Sequence, residues 1–235
     1  MIYIFRVISI AIVCTILSMI SIITAPINSS GIFTLLVTKA FAGFNLWVSG
    51  VKLQTKGLEN VDKKEKYIFV ANHQSYFDIS VLQWTIPNKL RFVYKKQINY
   101  VPIFGWAMYL AGFFPIDRSN ARKAIELLRK ASIMIKKKNI SVAIFPEGTR
   151  SKDGTIDTFK KGIFILADEV KGKIVPVTIT GTSKILPKNS FKINSGNVIV
   201  TYSKPLEFKS EKGFLNEIRD IIVKENEVNL RELCA

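Results

Sequence analysis

Residues 66–78 read KYIFVANHQSYFD, a short apolar run that is followed at once by a polar segment. The run from Lys66 to Ala71 follows charged residues and is rich in aromatic and β-branched side chains, which predicts a buried strand. The polar segment carries His73 and Asp78. Because ligands in α/β folds bind beyond the carboxyl ends of the strands, this junction is a candidate functional site.

The same succession of apolar runs and helical patterns continues towards the C-terminus. Further strands are predicted at residues 91–94, 113–116, 140–145, 174–180 and 197–202. Helices are predicted at residues 120–138, where Asn120 can cap an apolar stripe, and near 162–170 and 214–225. Strands that alternate with helices predict an α/β fold with a mostly parallel central sheet flanked by helices.

The spacing of His73 and Asp78 constrains how they can meet. Five residues of regular helix would leave the two side chains roughly 140° apart, so contact requires a turn between them. We therefore expect His73 in the loop and Asp78 in the first helical turn. A histidine can exchange a proton near neutral pH, and an aspartate bonded to its other ring nitrogen fixes the tautomer. The plainer alternative is an exposed histidine beside a helix-capping aspartate.

A second polar segment follows another predicted strand, and residues 144–151 read IFPEGTRS. Gly148 permits close backbone approach, Thr149 offers a hydroxyl, and Arg150 can bind a phosphate with two hydrogen bonds. Glu147 can accept hydrogen bonds from Arg150, from backbone amides or from a substrate hydroxyl. The alternative is a surface loop with an ion pair of little energetic weight.

A third segment, GFFPIDR at residues 112–118, ends in Arg118. An arginine at the end of a strand brings a fixed positive charge to the same rim of the sheet, although many such arginines simply face solvent.

The N-terminal end has a different composition. Residues 1–50 contain only Arg6 and Lys39 as charged residues, and Val7–Ala25 is free of charge. As a helix that stretch would span roughly 28 Å, enough for a bilayer core. Turn-forming residues at 26–31 separate it from a second apolar stretch at 32–51.

This end is compatible with a signal peptide, a single span, a helical hairpin or, in a soluble protein, a buried core hairpin. No convincing cleavage site follows, and the lysine-rich segment after residue 51 favours a body on the cytoplasmic side. We therefore expect a membrane-anchoring helical hairpin at residues 1–51 and an α/β domain at 52–235. The protein would be membrane-associated, at the cytoplasmic face of the inner membrane in a bacterium. Whether the hairpin crosses the bilayer or enters one leaflet stays open.

Composition excludes several classes of protein and site. The chain has 235 residues, a net charge of +16, 48% hydrophobic residues, two cysteines and one histidine. This apolar content argues against a disordered basic tail, and the few cysteines and histidines argue against a metal centre or a disulfide scaffold. No nucleophile elbow and no Walker or dinucleotide fingerprint is present, so we expect no covalent intermediate and no cofactor.

Basic residues concentrate in one region. Residues 84–138 contain twelve lysines and arginines but only two acidic residues, a net charge of +10. An anionic membrane surface is a suitable partner, although many of these side chains can be merely solvated. Nucleic acid is not expected, because no recognised binding module is present.

Four segments occur together in a recognisable order: residues 72–78, 112–118, 145–151 and 175–177. As a set they resemble the glycerolipid acyltransferases, and most closely the 1-acylglycerol-3-phosphate (lysophosphatidic acid) acyltransferases of that family. The resemblance extends over roughly residues 66–181. Each motif alone is weak, whereas four in order are specific.

The resemblance implies an activity and a set of roles. An acyl group would pass from acyl-CoA or acyl-carrier protein to the free sn-2 hydroxyl of lysophosphatidic acid, giving phosphatidic acid. His73 would act as general base and Asp78 would orient it. The substrate-binding residues would be Arg118, Glu147, Gly148, Thr149 and Arg150. Two alternatives remain: an acyltransferase acting on another lysophospholipid or lyso amino-lipid, and a non-catalytic protein that binds anionic lipid.

Overall fold

The structure, a computed structural model, describes residues 2–28, 31–117, 121–138, 140–160, 162–170, 172–211 and 213–234. Its helices are α1 (Ile2–Thr24), α2 (Ile32–Val48), α3 (Phe77–Thr85), α4 (Phe104–Leu110), α5 (Ala121–Lys138), α6 (Gly162–Val170), α7 (Thr182–Ile185) and α8 (Phe214–Cys234). Its strands are β1 (Val51–Lys56), β2 (Tyr67–Ala71), β3 (Leu90–Lys95), β4 (Phe114–Ile116), β5 (Ser141–Ile144), β6 (Lys173–Thr180) and β7 (Gly196–Tyr202).

The strands form one sheet in the order β1-β7-β6-β2-β5-β3-β4. Each neighbouring pair is parallel except β6 with β7, which is antiparallel. The predicted mostly parallel α/β sheet is thereby confirmed. Strand β2 lies at its centre, where Val70 is in register with Ile144 on one side and Pro176 on the other.

The apolar residues of β2 are buried on both faces of the sheet, as their composition indicates. Phe69 and Ala71 pack in one cluster with residues of α3, whereas Ile68 and Val70 pack in a second cluster with residues of α5, α6 and α8. All four side chains are fully buried. Helices on both faces therefore fix β2, and with it the position of the polar loop that follows.

Some elements differ from the sequence-based expectation. Strand β1 was not predicted, because Lys52 and Lys56 obscure an alternating pattern in which Val51 and Leu53 pack against the core. Helix α8 continues to Cys234, well beyond residue 225. In α5 the expected apolar stripe is buried at Leu128, Ala131 and Ile135, whereas the side chains of Ala124 and Leu127 and the proposed cap Asn120 lie outside the described residues.

Helix α1 packs lengthwise on the rest of the chain and contacts both α2 and α4. Near its start, Arg6 Nη1 donates to the Ile193 carbonyl at 3.0 Å, and Val7 and Ile10 pack against the core. At the other end of the hairpin, a Cβ atom added to Gly31 would lie 3.2 Å from Nη2 of the buried Arg91. The hairpin thus contacts the α/β body at its beginning and at its turn.

The outer face of α1 is exposed and apolar, with Ile4, Ile8, Ile12, Ile16 and Ile23 all more than 48% exposed. Within the described residues, Ile2–Ile27 is the one helical stretch that is long and apolar enough to cross a membrane, with a mean hydropathy of 2.6. That criterion concerns length and composition alone.

Candidate active site

Asn72 connects the loop after β2 to the neighbouring strand β6 by hydrogen bonds. This buried side chain donates from Nδ2 to the Ile179 carbonyl and accepts from the Ile179 amide, both at 2.8 Å. The two bonds replace the ladder contacts that the chain loses where it leaves the sheet. The next residue, His73, therefore starts from a fixed backbone position.

His73 lies in this loop and Asp78 in the first turn of α3, where the spacing predicts them. His73 Nδ1 and Asp78 Oδ2 are 2.7 Å apart. The Asp78 carboxylate is fully buried and also accepts from the backbone amides of Gln74 at 2.7 Å and Ser75 at 2.8 Å. Since Nδ1 faces a carboxylate, the hydrogen-bond network assigns the proton of neutral His73 to Nδ1 and leaves Nε2 as the basic nitrogen.

A further donor to Asp78 was not anticipated from the sequence. Thr182 Oγ1 donates to Asp78 Oδ1 from the start of α7, across 104 residues of chain. Thr182 is fully buried and follows β6 directly after Gly181. The sequence signal that could have identified Thr182 is its position as a polar residue just beyond a predicted strand. With this hydroxyl, both oxygens of the buried carboxylate are bonded, as burial of a charge requires.

The imidazole of His73 is also held through its ring face. It stacks on Phe145 with a centroid separation of 4.0 Å and an interplanar angle of 16°. Phe145 is in turn stacked beside Phe92, at 6.2 Å and 15°, and Phe92 beside Phe113, at 6.3 Å and 4°. The hydrogen bond to Asp78 at the ring edge and the stacking on Phe145 together leave the His73 side chain 14% exposed.

Glu147 holds the backbone of His73. Its Oε1 accepts the His73 amide at 2.7 Å and its Oε2 accepts the Asp157 amide at 3.2 Å, while the residue is only 3% exposed. Burial raises the pKa of Glu147, and the two backbone amides partly oppose that shift. The sequence suggested three kinds of donor to Glu147: Arg150, backbone amides and a substrate hydroxyl. The structure shows hydrogen bonds from backbone amides. Binding of a substrate hydroxyl stays a prediction.

The same loop carries positive charge towards solvent at its other end. The Arg150 guanidinium lies 3.8 Å from the centroid of the exposed Tyr76 ring. Lys188, from the segment after α7, contacts the Arg150 carbonyl and lies 3.4 Å from Thr149 Oγ1. Neither Tyr76 nor Lys188 was identified from the sequence, because both contacts depend on tertiary structure.

Gly148 has a left-handed backbone conformation, which favours glycine, and it lies beside a lysine side chain. Its φ angle is +74°, and a Cβ atom there would lie 2.9 Å from Lys160 Nζ. We call Arg150, Lys160 and Lys188 the basic rim, since the three cations surround Gly148 and Thr149. Arg118, the second arginine expected at this site, lies outside the described residues.

A cavity of about 770 Å³ opens beside His73. Tyr76, Thr149 and Arg150 line its polar end, and side chains from α1, α2 and α4 line its interior, among them Leu17, Phe41, Phe104 and Met108. His73 thus lies where a cationic rim meets a mainly apolar space. In the described part of the chain, no group of three or more His, Cys, Asp or Glu side chains could hold a metal ion.

Comparison with known proteins gives consistent matches. A family model described as Acyltransferase matches residues 52–180. A chloroplastic 1-acyl-sn-glycerol-3-phosphate acyltransferase of Arabidopsis thaliana is 39% identical over 175 residues, which is 74% of this chain and 49% of that protein. A 1-acyl-sn-glycerol-3-phosphate acyltransferase of Limnanthes douglasii is 33% identical over 193 residues, covering 82% of this chain and 67% of that protein. The matched part spans about half the length of the first of these relatives.

A solved structure shows the same fold. The crystal structure of the 1-acyl-sn-glycerophosphate acyltransferase from Thermotoga maritima superposes with a TM-score of 0.73 and covers 90% of this chain and 94% of that chain. Its sequence identity is 23%, so this similarity concerns the fold.

Proposed function

The chain belongs to the acyltransferase family, and from that premise we propose that it transfers a fatty acyl group from an acyl thioester to the sn-2 hydroxyl of lysophosphatidic acid. The product would be phosphatidic acid. One observation carries the proposal: the His73–Asp78 pair, 2.7 Å apart, lies at the mouth of a cavity that joins a cationic rim to an apolar interior. The names of the relatives support the same substrates.

His73 is the proposed general base. Nε2 would take the proton of the acceptor hydroxyl while that oxygen attacks the thioester carbonyl. Asp78 would stabilise the resulting imidazolium through Nδ1. When the tetrahedral intermediate collapses, the carbon–sulfur bond breaks and the imidazolium returns the proton to the departing thiolate of coenzyme A or acyl-carrier protein. The attack is direct and uses no enzyme nucleophile.

The basic rim suits the acceptor phosphate. A phosphate monoester carries roughly two negative charges near pH 7, and arginine can bind it with paired hydrogen bonds. We assign this role to Arg150 and, from the sequence, to Arg118, with the Gly148–Thr149 backbone contributing. Tyr76 and Lys188 would hold Arg150 at the cavity mouth. The contacts of Glu147 favour positioning of His73 over direct binding of glycerol.

The cavity is proposed to receive the acyl chain. Its interior is lined mainly by apolar side chains, and it begins at His73, where the thioester carbonyl must lie. An alkyl chain that enters this space leaves water and gains hydrophobic free energy in proportion to the area buried. The same site therefore offers charge to a head group and apolar surface to a chain.

Residues 1–51 are proposed to form an anchor within one leaflet. Helix α1 contacts the body along one face and exposes an apolar outer face. Trp106, Tyr109 and Leu110 on the adjoining α4 are each at least 50% exposed and extend this surface. Aromatic side chains favour the membrane interface, and lysines such as Lys95 and Lys96 can meet anionic head groups. In this arrangement the α/β domain, residues 52–235, would lie at the cytoplasmic face.

An acceptor survey tests the proposed function. Purified chain in lipid vesicles would be supplied with labelled acyl-CoA or acyl-carrier protein and with lysophosphatidic acid, other lysophospholipids or a lyso amino-lipid. We expect labelled phosphatidic acid to form fastest. Faster acylation of another acceptor would reassign the substrate, and lipid binding without acylation of any acceptor would contradict an enzymatic role.

A further inference from the structure

Helix α7 is a single turn, and both of its ends are bonded to the loop that carries His73 and leads into Asp78. At its start, the Thr182 hydroxyl donates to Asp78 Oδ1. Directly after its end, the Leu186 carbonyl accepts from Ser75 Oγ at 2.9 Å. The hydroxyl-bearing residues of both contacts, Thr182 and Ser75, are fully buried. This turn lies beyond residues 52–180, the part of the chain that matches the acyltransferase family model.

The donors to Asp78 are divided unequally between its two oxygens. Oδ2 meets His73 Nδ1 and accepts the amides of Gln74 and Ser75, whereas Oδ1 accepts from Thr182 alone within the described residues. The χ2 torsion of aspartate is broad and roughly two-fold, so rotamer preference does not set the plane of the carboxylate. Hydrogen bonds must set that plane, and Thr182 provides the bond at the second oxygen.

The backbone that presents Thr182 is held from two sides. The side chain of Thr180, two residues earlier, donates from Oγ1 to Asn226 Oδ1 of α8 at 2.9 Å in a buried contact. Gly181 has a φ angle of +101°, and a Cβ atom there would lie 2.5 Å from the carbonyl oxygen of Asn197 on β7. A larger residue at this position would therefore displace the chain. The bond to α8 and the close packing on β7 together fix where the Thr182 hydroxyl lies.

We propose that Thr182 is a positioning residue for acyl transfer, because its hydroxyl fixes the plane of the Asp78 carboxylate so that Oδ2 faces His73 Nδ1. Asp78 then keeps neutral His73 in the tautomer that leaves Nε2 free as the base. Without the hydroxyl, the carboxylate can rotate and His73 can adopt its other tautomer. The proposal rests on the proposed function, since it assigns Thr182 to the base of that reaction.

Two variants separate the hydroxyl from the rest of the side chain. Thr182→Val keeps the shape but lacks the hydroxyl, and kcat with lysophosphatidic acid should fall by about tenfold, the effect of one hydrogen bond to a charged group. KM should change little, because Thr182 is buried and does not line the cavity. Thr182→Ser keeps the hydroxyl and should stay within about threefold of wild type. An unchanged kcat in Thr182→Val, or an equal loss in Thr182→Ser, would overturn the proposal.

Thr178→Val is the matched control. Thr178 is also a fully buried threonine, four residues earlier on β6, but its hydroxyl faces the Ile222 carbonyl of α8. This control should lower Tm without lowering kcat. If Thr182→Val does not fold, Thr182→Ala takes its place in the comparison with Thr182→Ser.

A double variant tests whether Thr182 acts through Asp78. In the Asp78→Asn background, Thr182→Val should lower kcat little further, because the carboxylate that it orients is already absent. Effects of independent sites would instead add. Additive losses in the double variant would overturn the positioning role.

The single histidine of the chain allows a test that does not depend on activity. Nitrogen NMR of the protein with isotope-labelled histidine, in lipid nanodiscs, reports which ring nitrogen of neutral His73 carries the proton. Wild type and Thr182→Ser should carry it on Nδ1, whereas Thr182→Val should show a mixture of tautomers. A wild-type tautomer that persists in Thr182→Val would overturn the proposal. Because this readout needs no acceptor, failure of the proposed function would be observed separately, as an absence of acyl transfer.

Discussion

The His73–Asp78 pair and the basic rim adjoin opposite ends of the loop that follows β5, residues 145–151, and differ in how they are held. At the Glu147 end, buried groups bond to backbone amides and leave His73 little freedom. At the Arg150 end, the cation rests on the face of an exposed ring and beside a lysine. Under the proposed function, a fixed nitrogen would transfer the proton, whereas charge that can adapt would bind the phosphate.

The largest effect among the partners of His73 is expected for Asp78→Asn. Asparagine offers a neutral oxygen or an N–H group to Nδ1, so the imidazolium loses its counter-charge and the tautomer is no longer fixed. We expect kcat to fall by about a thousandfold or more. Steady-state rates with lysophosphatidic acid would measure this change.

Asp220→Asn is the matched control, since the Asp220 side chain is 73% exposed on α8. It should leave kcat unchanged. A loss of less than tenfold in Asp78→Asn would mean that the buried carboxylate does not support catalysis.

Arg150→Ala tests whether the basic rim binds the acceptor phosphate. Loss of a charge-assisted contact with phosphate should raise KM for lysophosphatidic acid by roughly ten- to a hundredfold and change kcat less. Monoacylglycerol, which lacks the phosphate, should show no such change in KM. The exposed neighbour Lys152 provides the control Lys152→Ala. Equal effects on both acceptors would remove Arg150 from the phosphate site.

Glu147→Gln should produce an effect of intermediate size on catalysis. The amide has one acceptor in place of two, so either the His73 or the Asp157 amide loses its partner. Displacement of His73 should lower kcat by about tenfold, with a smaller change in KM. Glu227→Gln, on the exposed side of α8, is the control. A change in KM alone would instead favour direct substrate binding by Glu147.

The same variant makes a prediction about pH. Burial raises the pKa of Glu147 above its usual 4.5, so the folded protein binds this proton more tightly than the unfolded chain does. Its contribution to stability is therefore fully present below about pH 4.5 and is lost as pH rises through the raised pKa. The Tm of wild type relative to Glu147→Gln should fall over that interval. A rise would contradict the assigned direction.

The smallest effect is expected for Phe145→Leu. The variant removes the ring that stacks on His73 but keeps apolar volume. Aromatic pairs contribute about 0.5–1.5 kcal/mol, so we expect a severalfold loss in kcat and a modest decrease in Tm. Phe191→Leu, at a side chain that is 84% exposed, should change neither quantity. An unchanged kcat in Phe145→Leu would show that Asp78 alone is sufficient to orient His73.

Local features of the site were predictable from sequence. His73 and Asp78 belong to one segment, so the geometry of a loop that enters a helix sufficed to place them. The mostly parallel sheet followed in the same way from apolar runs that alternate with helices.

Contacts over long sequence separations were not predictable. Thr182 reaches Asp78 across 104 residues, and the Glu147 carboxylate meets the His73 amide across 74. The hydrogen bonds from Gln83 to Thr38 and from Asn45 to Ser80 require α2 and α3 to pack against one another. Strand β1 was missed because its lysines obscure an alternating pattern that only pairing with β7 makes evident.

The central claim is that His73 is the base for acyl transfer to lysophosphatidic acid, and His73→Ala tests it most directly. Labelled phosphatidic acid would be measured for wild type and variant in the same vesicles, with circular dichroism and vesicle flotation to confirm folding and membrane binding. We expect transfer to fall by about a thousandfold, while folding and flotation are retained. Substantial transfer by a folded variant would contradict the account, because the chain contains no second histidine that could replace His73.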